Sequence, residues 1–256
     1  MQNDYNIAIT TFSLRFGMVK NLIKQIRSFT DRKIILCING EKDGDFNEAY
    51  RKELMVLCYE SANVFPIFFV ETRGLSKMWN TALSHSDKHF VMMLNDDILI
   101  QSGDVFEKVF QHINTEEFNG LSLINSSFSH YIADRRLIDE LGYFDERLLG
   151  FGEEDSDIIY RLLKNKGMNN GMVWVGGLIN IISQIRDENV KKGSINNVEH
   201  KYSDQNRSFI YGMKYKTNHD SQYKGWFDTP MDQHLEDEKI YPYERFFWEN
   251  KKNLFL

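Results

Sequence analysis

The chain has 256 residues, which fits one domain or one domain with a small appendage. Its 31 basic and 37 acidic side chains give a net charge of −6, which argues against sequence-independent binding to nucleic acid. Apolar residues form 42% of the chain, and no apolar stretch approaches the roughly 18 residues that cross a bilayer. No signal-like segment begins the chain, and Cys37 and Cys58 lie in apolar runs, so we expect a cytoplasmic protein with buried thiols.

Strand and helix patterns alternate through the first 125 residues. Short apolar runs predict strands at Ile7–Thr11, Ile34–Ile38, Ile67–Val70 and Phe90–Leu94, and the intervening segments carry apolar residues at helical spacing. Alternation of this kind predicts βαβ units. The predicted fold class is therefore α/β, a Rossmann-like and mostly parallel sheet with helices on both faces.

Polar residues stand at the end of each predicted strand. Ligands of open α/β sheets bind beyond the carboxyl ends of the strands, so these residues predict a single binding crevice. They are Thr10 and Thr11, Asn39, Glu71–Arg73, and Asn95–Asp97.

The motif LNDDILI (94–100) places two aspartates directly after a buried strand. Asp96 and Asp97 would repel each other, and a divalent cation would relieve that repulsion. Oxygen ligands suit Mg²⁺ or Mn²⁺. The alternative is a solvated turn in which an aspartate caps the next segment.

The motif GFGEEDSDIIYRL (150–162) places four acids before a helix pattern. Acids also favour a helix N-terminus for capping and dipole reasons, which is the structural alternative. Capping does not explain the two glycines before the acids, Gly150 and Gly152. Glycines allow a tight turn and the close approach of a ligand. A carboxylate in such a loop, facing a sugar hydroxyl, could act as a general base.

The motif RGLSKMWNTAL (73–83) begins a helix at Gly74, with Arg73 and Lys77 near its start. The free N–H groups of a helix N-terminus favour an anion such as a diphosphate. The alternative is an ordinary helix with basic residues in solvent. The sequence contains neither GxGxxG nor GxxxxGK[ST], so dinucleotide and P-loop chemistry are not expected.

Taken in order, these motifs resemble the nucleotide-sugar glycosyltransferases of the GT-A fold, especially the large family 2 group. The resemblance covers about residues 5 to 180 and is carried by IAITTF, RGLSKMWNTAL, a strand that runs into NDD, and GYFDERLLGFGEEDSDIIYRLLKNKG. The acidic loop is also similar to the Gly-Trp-Gly-Gly-Glu-Asp-Asp element of the β-1,4-galactosyltransferases. The resemblance implies metal-dependent transfer of a hexose from a nucleotide-diphosphate sugar, with inversion at the anomeric carbon. The implied donor is a UDP-sugar, and the implied acceptor is a hydroxyl of a glycan or a lipid-linked saccharide.

The resemblance also implies which residues hold the donor. Three residues, Thr10, Thr11 and Asn39, match positions near the nucleoside base. The resemblance places near the ribose and phosphates the residues Arg73, Gly74 and Lys77. Asn39-Gly40 stands where the family usually has an acidic pair, which leaves the identity of the base open.

The metal and the catalytic base follow from the same resemblance. Asn95, Asp96 and Asp97 match the three positions of the family's Asp-X-Asp motif, with Asn95 in place of the first acid and Asp97 as the metal ligand. Some relatives supply a later histidine to the metal, for which His200 is the candidate, although a lone histidine in a polar segment can simply be solvated. Asp155, or in second place Glu154, matches the base that deprotonates the acceptor.

Charge balance gives a separate reason to expect a metal. If Arg73 and Lys77 balance the two carboxylates of the aspartate pair, the diphosphate of the donor stays uncompensated. A divalent cation, Mn²⁺ or Mg²⁺, would resolve this.

We predict a catalytic core over residues 1–185 and a loop-rich, acceptor-side extension over 186–256 that packs on the same domain. Residues 186–223 are polar and weakly patterned, which predicts a loop that closes over the donor. The tail YPYERFFWENKKNLFL (241–256) mixes aromatics with lysines. It could contact a membrane interface beside a lipid-linked acceptor or pack back onto the domain.

Two other functions compete with glycosyl transfer. A sugar nucleotidylyltransferase should carry a glycine-rich basic loop after the first strand, and TTFSLRFGM (10–18) has one glycine. A non-catalytic module that binds nucleotide sugars or glycans needs no second, separate carboxylate loop.

Overall fold

The computed structural model describes residues 4–12, 15–40, 47–181 and 203–215. These residues divide into two units. The first unit takes the described residues within Met1–Arg73, Thr81–Leu137 and Gly171–Arg186. The second unit takes those within Gly74–Asn80, Ile138–Asn170 and Asp187–Leu256.

The secondary structure begins with the predicted alternation of strands and helices. The elements up to the aspartate pair are β1 (Tyr5–Thr11), α1 (Phe16–Phe29), β2 (Ile34–Ile38), α2 (Glu48–Glu60), β3 (Val64–Phe68), α3 (Leu75–Ser84) and β4 (Phe90–Asn95). The elements after it are β5 (Ile98–Ile100), α4 (Asp104–His112), β6 (Leu121–Ile124), β7 (Ser127–Asp134), α5 (Arg135–Leu141), α6 (Glu154–Lys166), β8 (Gly171–Val173), β9 (Leu178–Asn180), α7 (Ser203–Ser208) and a π-helix (Phe209–Lys214).

The first unit is built on a seven-stranded sheet in the order β3-β2-β1-β4-β7-β6-β8. Strands β3, β2, β1 and β4 are parallel, and β7 is antiparallel to both of its neighbours. A separate antiparallel pair joins β5 to β9. The predicted α/β class, a mostly parallel sheet with flanking helices, is confirmed.

The third strand and several unpredicted strands differ most from the sequence-based expectation. The third strand spans Val64–Phe68 instead of Ile67–Val70, so Pro66 lies inside it. Proline has no N–H to donate to a neighbouring strand. It is tolerated in β3 because this strand lies at the edge of the sheet. Strands β5, β7, β8 and β9 were not predicted, and β5, β8 and β9 are only three residues long.

The core of the first unit follows directly from the apolar pattern. All seven residues of β1 are buried, and α1 covers the sheet with Val19, Leu22, Ile23 and Ile26. Cys37 in β2 is fully buried and Cys58 is half-buried, and burial raises the pKa of both thiols, to about 12 and about 11. The register pairs Thr10 with Asn95, so the polar ends of adjacent strands lie side by side.

The second unit has its own apolar cluster. It consists of Leu148, Tyr160, Ile210, Tyr211 and Tyr215. The prediction of a loop over 186–223 is therefore wrong for residues 203–215, which form α7 and the π-helix. The helices could not be predicted from an apolar pattern, because several of their buried side chains are polar. These side chains form hydrogen bonds inside the second unit.

Several predictions fall outside the described residues. These include the boundary at 185/186, His200 and the aromatic tail. None of the helices within the described ranges has both the length and the hydropathy needed to span a membrane.

Candidate active site

The aspartate pair lies at the carboxyl end of β4, in the first unit. Asp96 accepts hydrogen bonds from Thr11 Oγ1 and Arg15 Nη1, both at 2.7 Å. Arg15 Nη1 also lies 3.5 Å from Asp97 Oδ2. All three ionic side chains are buried. Arg15 therefore holds the two carboxylates together inside the protein.

Burial makes this pair reluctant to ionise. Burial raises the pKa of Asp96 to about 6. The positive charge of Arg15 lowers this pKa, and the negative charge of Asp97 raises it further. Burial also raises the pKa of Asp97, again opposed by Arg15. A second cation near the pair would favour the ionised form of both carboxyls.

The cation that balances the aspartate pair is Arg15, and not Arg73 or Lys77 as expected. The sequence-based argument gave Arg73 and Lys77 the task of balancing the aspartates. In the structure Arg73 Nη2 lies 3.1 Å from Glu71 Oε2, and Lys77 Nζ lies 3.1 Å from Glu146 Oε2. Arg15 was missed, although its position in the β1–α1 connection, just beyond the carboxyl end of β1, is a usable signal.

Asp97 has the properties expected of a cation ligand. Its Oδ1 atom is buried and has no hydrogen-bond partner among the described residues. The described ranges hold no group of three or more His, Cys, Asp or Glu side chains suited to a metal. Mg²⁺ is commonly held by one or two carboxylates together with substrate phosphates, and does not require such a group.

The polar residues on the neighbouring strands contact each other. Thr10 Oγ1 donates to Asn95 Oδ1 at 3.4 Å. The Asn39 carboxamide accepts from the Arg73 N–H at 2.7 Å and donates to the Arg73 carbonyl at 2.9 Å. Side chains thus join the end of β1 to the end of β4, and the end of β2 to the segment that follows β3.

Gly74 and Lys77 belong to the second unit. A Cβ at Gly74 would lie 2.9 Å from the Leu148 carbonyl oxygen, and the next N–H, of Leu75, donates to the Gly150 carbonyl at 2.7 Å. The glycine is therefore required where α3 meets the loop that precedes the acidic motif.

The acidic loop enters α6 through an unusual backbone. Gly150, Gly152 and Glu153 all have positive φ, at 59°, 119° and 75°. Glu154 Oε2 accepts the Gly152 N–H at 2.6 Å, and Glu154 Oε1 is buried with no hydrogen-bond partner in the described part of the chain. Asp155 Oδ1 accepts the Ser156 N–H at 2.9 Å.

Different pKa values separate the two candidate bases. Burial, with the charge of Asp155, raises the pKa of Glu154 to about 8. Burial raises the pKa of Asp155 to about 6, against the Ser156 N–H. The Asp155 carboxyl therefore ionises at a lower pH than that of Glu154, so Asp155 is the better general base of the two near neutral pH.

A buried ionic network lies beside this loop, and the sequence did not reveal it. Lys214 Nζ donates to Asp157 Oδ1 at 2.6 Å and to Asp145 Oδ2 at 2.9 Å. Arg161 Nη2 bonds Asp157 at 2.8 Å, and Arg147 Nη2 bonds Asp145 at 2.6 Å. The π-helix therefore supplies the cation that joins the YFDE segment (143–146) to α6.

The sheet order and the flanking helices are those of the GT-A fold of nucleotide-sugar glycosyltransferases, and the chain has this fold. It is similar to residues 1–349 of S. aureus TarS, with a TM-score of 0.52 and 14% identity over 83% of this chain and 75% of that chain. In the comparison with a longer TarS structure, this chain spans 35% of the length of that chain.

Two other solved structures show the same likeness. Glucosyl-3-phosphoglycerate synthase from Mycobacterium tuberculosis, in complex with Mn²⁺, UDP and glucosyl-3-phosphoglycerate, gives a TM-score of 0.53 at 13% identity over 81% of this chain and 79% of that chain. The mannosyltransferase PcManGT from Pyrobaculum calidifontis, in complex with GDP-Man and Mn²⁺, gives a TM-score of 0.50 at 13% identity. The match covers 68% of this chain and 55% of that chain. Neither the scan against family models nor the search of curated proteins finds a match.

Proposed function

We propose that this protein transfers a sugar from a nucleotide-diphosphate sugar to an acceptor hydroxyl with the help of a divalent cation. The observation that carries the proposal is the buried carboxylate pair at the end of β4, in which Asp97 Oδ1 lacks a hydrogen-bond partner among the described residues. Solved structures of the same fold contain Mn²⁺ with UDP or GDP-Man, which supports this chemistry.

The donor side is assigned to the ends of β1, β2 and β4. Asp97 would hold Mn²⁺ or Mg²⁺, and the bound ion would neutralise charge on the departing nucleoside diphosphate. Arg15 keeps Asp96 and Asp97 ionisable in a buried place. Further donor contacts are assigned to Thr10, Thr11, Asn39, Asn95, Arg73, Gly74 and Lys77.

Asp155 is assigned as the general base, with Glu154 in second place. The acceptor oxygen forms a bond to the anomeric carbon while the bond from that carbon to the diphosphate breaks. The acceptor proton passes to the Asp155 carboxylate, and the nucleoside diphosphate leaves with the electron pair. In-line attack inverts the anomeric configuration.

The finer assignments follow the family resemblance. We propose a UDP-hexose as donor and a glycan or lipid-linked saccharide as acceptor, as in the building of a polysaccharide. The aromatic tail is a candidate membrane contact, and His200 is a candidate second metal ligand.

Release of nucleoside diphosphate tests the proposal. Wild-type protein is incubated with UDP-glucose or GDP-mannose and Mn²⁺, since a transferase without acceptor hydrolyses its donor slowly. EDTA should abolish release, and Mn²⁺ should restore it. Asp97→Asn should remove Mn²⁺-dependent donor binding, whereas Asp104→Asn, the same change at an exposed aspartate of the first unit, should not.

Other results would contradict the proposal. Donor binding without any turnover would indicate a binding module. Formation of a nucleoside triphosphate from the donor and pyrophosphate would indicate a nucleotidylyltransferase. Release at the full rate in EDTA would show that the aspartate pair holds no catalytic metal.

A further inference from the structure

The loop that leads to Asp155 holds one residue with a side chain, Glu153, in a backbone conformation that such residues rarely adopt. Glu153 has a φ of 75°, in the left-handed region that disfavours side chains with a Cβ. Gly150 and Gly152 on the same stretch also have positive φ. Such backbone persists where neighbouring groups over-determine it, and these positions cluster at functional sites.

One side chain of α7 bonds this loop at two places. Asn206 Oδ1 accepts the Leu149 N–H at 2.9 Å. Asn206 Nδ2 donates to the Leu149 carbonyl at 2.8 Å and to the Gly152 carbonyl at 3.0 Å. Only a carboxamide offers an acceptor and two donors in this shape, so aspartate or leucine at this position cannot replace it.

The neighbouring residue strengthens the same connection. Arg207 Nε bonds Glu153 Oε1 at 3.0 Å, at the residue with the least favourable backbone. The segment that carries both side chains is itself fixed, because Lys214 is fully buried between Asp145 and Asp157. Asn206 is 2% exposed, so water does not compete for its hydrogen bonds.

We propose that Asn206 is a positioning residue for the catalytic base, fixing the Leu149–Glu153 loop and thereby the start of α6, where Asp155 lies. This inference rests on the proposed function for the role of Asp155. Asn206 touches neither the donor nor the acceptor in this scheme. Its effect passes through the Gly152 backbone, whose N–H in turn bonds Glu154.

The test combines Asn206→Asp, which keeps the shape and loses both donors, with Asn206→Ser, which adds no charge. The control is Asn63→Asp, which removes a carboxamide donor from the Asp31 carbonyl, at 2.7 Å, in the first unit. Both Asn206 variants should lower kcat about 10- to 100-fold while KM for the donor changes less than about threefold. The control should keep both constants.

Amide hydrogen exchange gives a readout that does not depend on activity. Exchange in the peptide covering residues 149–157 should become about tenfold faster in both Asn206 variants and stay unchanged in the control. If the wild type releases no nucleotide, the proposed function fails, and exchange alone then decides whether Asn206 holds the loop. Unchanged exchange in folded variants, or an unchanged kcat in an active enzyme, would overturn the inference.

Discussion

Two pairs of acids in the second unit, all buried except the half-buried Asp155, have opposite electrostatic surroundings. Burial raises the pKa of any carboxyl, yet the charges of Lys214 and Arg147 hold the pKa of Asp145 well below its usual range. Arg161 and Lys214 do the same for Asp157. Around Glu154 and Asp155 burial prevails, and their pKa values rise to about 8 and about 6.

On the proposed function, this difference separates acids that stabilise the fold from acids that serve the chemistry. A buried carboxylate with well-placed cations is fixed in its ionised form, so it can neither take up nor release a proton near neutral pH. A buried carboxyl without a cation keeps an elevated pKa, which is a property of functional sites. Asp96 and Asp97 are intermediate, because Arg15 compensates them only in part.

The largest effect is expected when the cation of the paired acids is removed. Lys214→Met leaves Asp145 and Asp157 with less positive charge in a buried place, which should lower the free energy of unfolding by roughly 4–5 kcal/mol. Lys166→Met, which breaks an exposed pair with Glu140, should lower it by less than about 1 kcal/mol. Urea denaturation measures both, and equal losses would show that the network contributes no special stability.

A smaller effect is expected at the intermediate pair. Arg15→Met removes the cation from Asp96 and Asp97 and should lower the free energy of unfolding by about 2–3 kcal/mol. Asp96 can take up a proton, since its pKa is already about 6, and this limits the loss. Adding Asp96→Asn should recover part of the stability. A double variant less stable than Arg15→Met would contradict the assigned pairing.

The smallest effect is a pH dependence of stability at Glu154. Its pKa in the folded protein, about 8, lies above the ordinary 4.5, so its contribution to stability is full below about pH 4.5 and is lost as the pH rises through about 8. Between about pH 5 and pH 6.5 the wild type should lose about 2 kcal/mol more than Glu154→Gln. Denaturation at the two pH values measures this, and parallel curves would rule out an elevated pKa.

The sequence predicted the elements whose pattern is local. Strands β1, β2 and β4 have near-continuous apolar runs, and α1 has a clear apolar face, so the α/β class and the polar strand ends followed from spacing alone. The acidic loop and α6 were visible because glycines and acids precede an apolar helix pattern.

The sequence did not predict features that depend on distant partners. Lys214 and Asn206 are polar residues in a polar stretch, and their hydrogen-bond partners lie more than 50 positions away in the chain. Arg15 is similar, because its partner Asp96 is 81 positions away. Local composition favours a solvated loop in such places, whereas tertiary pairing decides the structure.

The central claim is that the acids with no paired cation among the described residues take part in catalysis, whereas the acids paired with cations stabilise the fold. Its most direct test compares Asp155→Asn with Asp145→Asn, measuring kcat for nucleotide release and the free energy of unfolding for both variants. Asp155→Asn should lower kcat by about 10²–10⁴-fold with no loss of stability, whereas Asp145→Asn should lower stability by roughly 3 kcal/mol. A stable and inactive Asp145→Asn beside an active Asp155→Asn would contradict the account.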